Sequence, residues 1–324
     1  MRMLLALVAM ILVAPAMADD LPKLTGNLFI HDPSLIQTSA GFSTFATGME
    51  LAKDGGQIRT KFSPDGINWK ETGAIPGGMP AWVEREIGKR PNIWAPSVFT
   101  KGGVTYLYYS VSTFGTNDSV IGLMTNAAFD VTKPNLGWQD QGMVLRTHKG
   151  DNYNAIDPFR IDAGGEAWLV WGSYWDGIRL VALDPTSGKR SDDAAPLPLA
   201  SRSGGAIEAS SILEHDGKFY LFVSFDRCCL GDGSTYRMMV GRADQVTGPY
   251  LDKDGKDMMA GGGTELAASK GHVRGPGGEE PFMTPDGPKL VFHYYDRSNL
   301  GMPTLGISPI QWSAEGWPEL TMPG

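Results

Sequence analysis

Only two of the 324 residues are cysteine, and they are neighbours, Cys228 and Cys229. A scaffold stapled by several disulfides is thereby excluded. The pair itself has two open readings: a vicinal disulfide, with Cα atoms closer than in ordinary bridges, or two free thiols filling a small space. The chain carries no run of Lys or Arg, and its formal net charge is -8. It therefore lacks the clustered positive charge that neutralises phosphates, and no nucleic-acid partner is expected. The five histidines are scattered without HExxH or comparable spacing, which argues against a catalytic zinc. There is no Gly-rich phosphate loop and no Ser-centred nucleophile motif, so phosphoryl and acyl transfer have no support. Long helical periodicity is also missing, and 42 Gly and 22 Pro instead punctuate short strands with tight turns.

Long apolar runs are absent apart from the first residues. Met1-Arg2-Met3, the run Leu4 to Val13 and Ala16-Met17-Ala18 have the charged, apolar and small-residue regions of a secretory signal. The run is shorter than the roughly 20 residues of a spanning helix, so cleavage after Ala18 is expected rather than anchoring. The mature protein is then secreted or periplasmic, with no membrane attachment after cleavage. Residues 19–324 suit one domain, since 42% hydrophobic residues over this length bury a substantial core.

What the chain does have is repetition. His31-Asp32-Pro33-Ser34, Trp94-Ala95-Pro96-Ser97, Ile156-Asp157-Pro158-Phe159 and Ile207-Glu208-Ala209-Ser210 each open an apolar strand. Three of these strands reach a turn, Gly102-Gly103, Gly164-Gly165 or Asp216-Gly217, and then a second aromatic strand such as Tyr106 to Ser110. Units roughly 50 to 65 residues apart have the size of a four-stranded blade, and the period predicts an all-β propeller. Blades are expected at 31 to 90, 94 to 147, 152 to 200 and 205 to 262, with a fifth in the remainder. Residues 71 to 93 read as a long Gly- and Pro-rich connection. The start of the fifth blade, around His272-Val273-Arg274, lacks the signature.

Aligned in this way, the repeat makes Asp32, Asp157 and Glu208 equivalent, and a propeller would bring them to one central channel. Two carboxylates flanking a glycosidic bond suffice for its hydrolysis, one as acid and one as base or nucleophile, and a third raises the pKa of the acid. Trp94, Phe114, Tyr174 and Trp175 are flat side chains suited to stacking on sugar rings.

These motifs, together with Tyr106 to Ser112, Phe114-Gly115, Asn154 to Pro158, Gly172-Ser173-Tyr174-Trp175 and Phe225-Asp226-Arg227-Cys228-Cys229, resemble the arabinan endo-1,5-α-L-arabinosidases of glycoside hydrolase family 43. The likeness runs over nearly the whole mature chain. It departs at Ser210, where the family usually has Pro, and at Val273-Arg274, where Asn-Ser usually follows His. The resemblance implies a five-bladed β-propeller and inversion of configuration, with Asp32 as general base, Glu208 as general acid and Asp157 as the residue that tunes and orients the acid. It implies hydrogen bonds to arabinose around Gly115, at Asn154, Ala155, Ile156 and Asp157, and at Ser173, Tyr174 and Trp175. It further implies that His293 helps hold a Ca2+ ion whose other ligands are largely water. The expected partner is arabinan or an arabino-oligosaccharide, acted on by a monomer. An exo-acting arabinanase, arabinofuranosidase or xylosidase of the same family is the nearest rival, and a sugar-binding propeller without catalysis is the rival from another class.

Overall fold

Every residue from Thr105 to Val111 is buried, which a strand achieves only if both of its faces are covered. Successive side chains point to opposite faces, and here each face has its own partner. Tyr106 and Tyr108 pack with Leu169, Trp171 and Val181, whereas Leu107, Tyr109 and Val111 pack with Phe45, Ile58 and Ile93. The same alternation runs through the molecule, so the core is divided into five apolar wedges, each between two neighbouring sheets.

In the computed structural model, which describes residues 21–49 and 56–324, those sheets are five blades. The expected leader lies outside the described residues. Blade one contains β1 Thr25–Gly26, β2 Ser34–Thr38, β3 Gly41–Ala46, β4 Arg59–Ser63 and β5 Asn68–Ala74. Blade two follows the helix α1 Ala81–Ile87 and contains β6 Trp94–Lys101, β7 Val104–Val111, β8 Ser119–Asn126 and β9 Gln139–Thr147. Blade three contains β10 Phe159–Ala163, β11 Glu166–Trp171, β12 Ile178–Leu183 and β13 Leu197–Ala200. Blade four contains β14 Ile207–His215, β15 Lys218–Phe225, β16 Arg237–Ala243 and β17 Thr264–Ala267. Blade five contains β18 Val273–Thr284, β19 Gly287–Asp296, β20 Met302–Trp312 and β21 Pro318–Leu320. Each blade is an antiparallel meander, with β1 added in parallel to the outside of blade one.

The first strands β2, β6, β10, β14 and β18 touch one another in that order, and β18 returns to β2. They therefore surround the axis. The ring closes between blades five and one: Leu305 N–H donates to Leu28 C=O at 2.9 Å, and Ser34 Oγ donates to Glu280 Oε1 at 2.6 Å.

The connection at 71 to 93 differs from expectation. Part of it is β5, and Ala81–Ile87 is a two-turn helix after Pro80, a residue that cannot supply the amide a longer helix would need there. Val83 and Ile87, four residues apart on one face, are buried in the wedge between blades one and two. The indole of Trp82 donates to Asp140 in β9, the outermost strand of blade two. This segment is thus held at the rim of the propeller.

Candidate active site

Each first strand begins with a kink. Asp32, Ala95, Asp157 and Ala209 have φ of 49°, 34°, 55° and 53°, and Gly278 has 62°. This left-handed region is costly for side-chain-bearing residues, of order 1–3 kcal/mol each, and such residues collect at functional sites. The ladders skip at the same place, from Trp94 to Ser97, Glu208 to Ser211 and Gly277 to Glu280. These β-bulges turn the backbone toward the axis and re-aim the side chains around them.

The kinks correct the expected register. Ala209, not Glu208, matches Asp32 and Asp157, and Glu208 stands one residue earlier, beside His31, Trp94, Ile156 and Gly277. The sequence did contain the signal, since Ala95, Asp157 and Ala209 each precede the hairpin turn at Gly102, Gly164 or Asp216 by seven residues. The offset aims the Glu208 carboxyl differently from the two Asp carboxyls. Likewise the axial start of blade five is Gly277-Gly278-Glu279, five residues beyond His272. A Cβ at Gly278 would lie 2.8 Å from His293 Nδ1, so this kink has room only for glycine.

The three acids have different surroundings. Asp32 is half-buried, and its desolvation by itself would raise its pKa, but the opposing effects together are larger. His31 Nδ1 lies 2.9 Å from Asp32 Oδ2, Thr47 Oγ1 donates to the same oxygen at 2.6 Å, and the His31 and His293 rings add to the pull, so the carboxyl is held well below its usual range. Glu208 goes the other way. Burial raises its pKa against the hydrogen bonds donated by Tyr236 and Ser173, and the Asp32 charge raises it further. Asp157 is raised well above the ordinary value by burial and by the charges of Glu208 and Asp32. Its Oδ2 accepts the Ala209 amide at 3.0 Å, which ties it to the strand that carries Glu208. One carboxyl whose proton affinity is lowered therefore faces two whose proton affinity is raised, the kind of contrast that acid–base cleavage of an acetal uses.

Beneath them is a cavity of about 30 Å³ lined by residues of all five first strands, among them Asp32, Asp157, Ser210, Glu279 and Glu280. It has room for a water or a small ion. Among the described residues no Lys or Arg lines it. Burial pushes Glu279 and Glu280 up to about 8, against hydrogen bonds from Ser224 to Glu279 and from Ser34 and Ser97 to Glu280. Glu279 Oε1 and Ser210 Oγ are buried without a hydrogen-bond partner. A buried carboxylate oxygen in that state calls for a proton or a cation. Ca2+ prefers such oxygens, so the lining fits the ion.

The fit of His293 is indirect. Its ring is fully buried and held neutral, by burial first and then by the charge of His31. Its Nδ1 accepts the Asp32 amide at 3.2 Å, which leaves the proton on Nε2, an atom without a protein partner. Nε2–H donates; it suits a water, including one that belongs to an ion, better than the ion itself.

The other expected residues divide into two sets. Trp94, Tyr174 and Trp175 are half-buried, and Phe114, with Gly115 beside it, is exposed with its ring 5.1 Å from that of Trp94. These present aromatic surface. Asn154, Ala155, Ile156 and Ser173 are buried. Asn154 Oδ1 accepts Ser119 Oγ at 2.6 Å, and Ser173 Oγ donates to Glu208 Oε2 at 2.7 Å. Ala155 is part of the wedge between blades two and three. This second set supports Asp157 and Glu208 from behind. Cys228 and Cys229 form a disulfide, the first of the two readings. Residues not singled out in the sequence also serve the site: His31, Thr47, Tyr236, Glu279 and Tyr295. Only the Gly-Gly-Glu-Glu run hinted at one of them, because Gly278 precedes the turn at Pro285-Asp286 by the same seven residues.

A five-bladed propeller with three axial acids can be compared with known proteins. The model of glycosyl hydrolases family 43 matches residues 23–318. An extracellular endo-α-(1→5)-L-arabinanase of Bacillus subtilis is 40% identical over 90% of this chain and 88% of its own length. An extracellular exo-α-(1→5)-L-arabinofuranosidase of Cellvibrio japonicus is 36% identical over 90% and 86%. The solved structure of a family 43 endo-arabinanase from Bacillus licheniformis superposes with a TM-score of 0.84 at 40% identity, covering 92% of this chain and 99% of that one. Sequence, fold and the arrangement of acids agree over nearly the full described length, and the chain belongs to glycosyl hydrolases family 43.

Proposed function

We propose that the chain is an exported, inverting hydrolase that cleaves α-1,5-L-arabinofuranosidic bonds inside arabinan. The observation that carries the reading is the contrast between Asp32, whose pKa is pulled down by the His31 ring and Thr47, and Glu208, whose pKa is raised by burial and by the Asp32 charge. Glu208 gives its proton to the departing glycosidic oxygen. Asp32 takes a proton from a water, whose oxygen attacks the anomeric carbon from the opposite face. Asp157 keeps the pKa of Glu208 high and, through the Ala209 amide, fixes its strand. The sugar rings meet Trp94, Phe114, Gly115, Tyr174 and Trp175, with Asn154, Ala155, Ile156 and Ser173 fixing the acids. Proton NMR of the first product is expected to show the β anomer from the α-linked substrate, and initial release of the α anomer would mean a covalent intermediate instead.

Internal cleavage requires a groove open at both ends. Of the two segments long enough to block it, α1 lies against the outermost strand of blade two, and residues 263 to 280 are taken up by β17, a tight turn at Gly271 and the start of β18, which supports the reading of an open groove. The viscosity of linear arabinan is expected to fall well before most reducing ends appear, with a mixture of oligosaccharides as early products. A single short product and slowly falling viscosity would establish exo action, and no release at all would leave a binding propeller. Export is supported by the leader-like first 18 residues and by relatives named as extracellular.

A Ca2+ ion at the axis belongs to the same proposal, held by oxygens of the cavity, Glu279 foremost, with His293 reaching it through water. When bound, the ion stabilises the ionised forms of nearby carboxyls. A ligand that binds only the folded state raises stability, so chelator is expected to lower the melting temperature of the wild type. Glu279→Gln is expected to remove that sensitivity. A wild type that melts identically with chelator and with added Ca2+, and holds no calcium by elemental analysis, would overturn it.

A further inference from the structure

Asp32 is linked by a continuous series of hydrogen bonds to the disulfide-bonded turn. The Cys229 amide donates to Tyr295 Oη at 2.7 Å. Tyr295 Oη lies 2.9 Å from His31 Nε2, and His31 Nδ1 lies 2.9 Å from Asp32 Oδ2. The His31 ring is stacked on His293, with centroids 4.0 Å apart, and Cys229 Sγ lies 3.7 Å from Nε2. The ring is therefore held from several sides.

The carboxylate of Asp32 can only accept and the Cys229 amide can only donate, so the phenol oxygen accepts from Cys229 and can either give its O–H to Nε2 of a neutral His31 ring or accept from Nε2–H of a protonated one. A neutral imidazole that accepts at Nε2 carries its proton on Nδ1, the nitrogen that faces Asp32. If the ring is protonated instead, Nδ1 still carries a proton. Asp32 Oδ2 thus meets an N–H donor in either charge state of His31; the neutral tautomer with its proton on Nε2 would turn a lone pair toward the carboxylate, which disfavours it.

The Cys229 amide is in place because the turn is fixed. Cys229 has φ of 67°, a left-handed conformation, and its side chain is tied to the preceding residue by the disulfide. The turn is further closed by Thr235 N–H donating to Arg227 C=O at 2.9 Å and Leu230 N–H donating to Ser234 Oγ at 3.0 Å.

We infer that Tyr295 and the Cys228–Cys229 turn are positioning elements for catalysis, which hold the His31 ring in the orientation that keeps Asp32 aimed. None of them touches the reacting atoms. The inference rests on the reading of Asp32 as general base, and its test has one arm that does not depend on that reading.

Tyr295→Phe removes one oxygen and keeps the ring. Cys228→Ser/Cys229→Ser removes the cross-link and keeps the turn's polarity. Each variant is expected to lower kcat on linear arabinan by about 10- to 100-fold, the range for a misaimed catalytic group, with KM within about twofold and the melting temperature of Tyr295→Phe within a few degrees. Combining the two changes is expected to cost no more than the larger alone, because both break one series. In nitrogen-15 spectra, with His31→Gln used to assign the ring, wild-type Nδ1 should be protonated, and the Nε2 resonance should shift in Tyr295→Phe, which removes the partner of that nitrogen. An unchanged kcat and an unchanged Nε2 resonance in Tyr295→Phe, or losses that multiply in the combined variant, would overturn the inference. A shifted Nε2 resonance with kcat untouched would remove Asp32 from the role of base while leaving the hydrogen-bond series intact.

Discussion

Asp32→Asn is expected to fold normally and to lose about 10²- to 10⁴-fold in kcat on every substrate, whatever its leaving group, because general-base assistance to the attacking water typically contributes that much. The amide is isosteric, so it removes basicity without opening a cavity, and Thr47 and the Asp32 backbone contact with His293 persist. The loss should be independent of the leaving group, since the water must be deprotonated in each case. A small nucleophilic anion such as azide needs no deprotonation, and added azide should restore part of the rate to the variant but not to the wild type. Near-normal turnover by Asp32→Asn would take the residue out of the mechanism. Equal stimulation of both proteins by azide would do the same for its role as base.

Glu208→Gln is expected to be as damaging on arabinan but selective. A sugar leaving group departs as a poor alkoxide unless it is protonated, whereas a nitrophenolate leaves unaided. Hydrolysis of arabinan should fall by about 10²- to 10⁴-fold, and hydrolysis of an activated aryl arabinoside should fall far less. The pH profile gives a second signature. As the proposed acid Glu208 must act in its protonated form, and its pKa is raised, so activity is expected below that raised pKa and should be lost as pH climbs through it. In Glu208→Gln the alkaline limb should be absent when the activated substrate is used. If instead the aryl arabinoside is the substrate worst affected, the assignments of Glu208 and Asp32 exchange places.

Much of this was readable in the chain. The hairpins that form the blades show as paired apolar strands around Gly-rich turns, and the uninterrupted apolar runs of β7, β15 and β19 follow from having a neighbouring blade on each face. Asp32 and Asp157 were legible because a carboxylate before Pro recurs at the head of a strand. The equivalence of Glu208 was misread by one residue, because the Ala-Ser that follows it takes the place of the Asp-Pro or Ala-Pro pair in the other blades and only the bulge fixes the count. Glu279 was passed over for a related reason: its blade opens on Gly277-Gly278, glycines that carry no side-chain signature, and Gly278 is required by the space beside His293. The helix Ala81–Ile87 was lost among turn residues because it spans just two turns, too few for a periodic pattern to stand out.

By itself the sequence determined the architecture and the identity of the acids, since a period-two apolar pattern repeated at blade length has few ways to bury itself and side-chain chemistry is written in the residue type. It did not determine what each acid does. Asp32 and Asp157 have the same local motif, yet the pKa of one is lowered and that of the other raised. The difference comes from partners such as His293, which is 261 residues from Asp32 in sequence, and from burial that exists only once five blades close around an axis. Proton affinity is set by the dielectric and the charges within a few ångströms of a group, and in this protein those surroundings are assembled by tertiary structure alone.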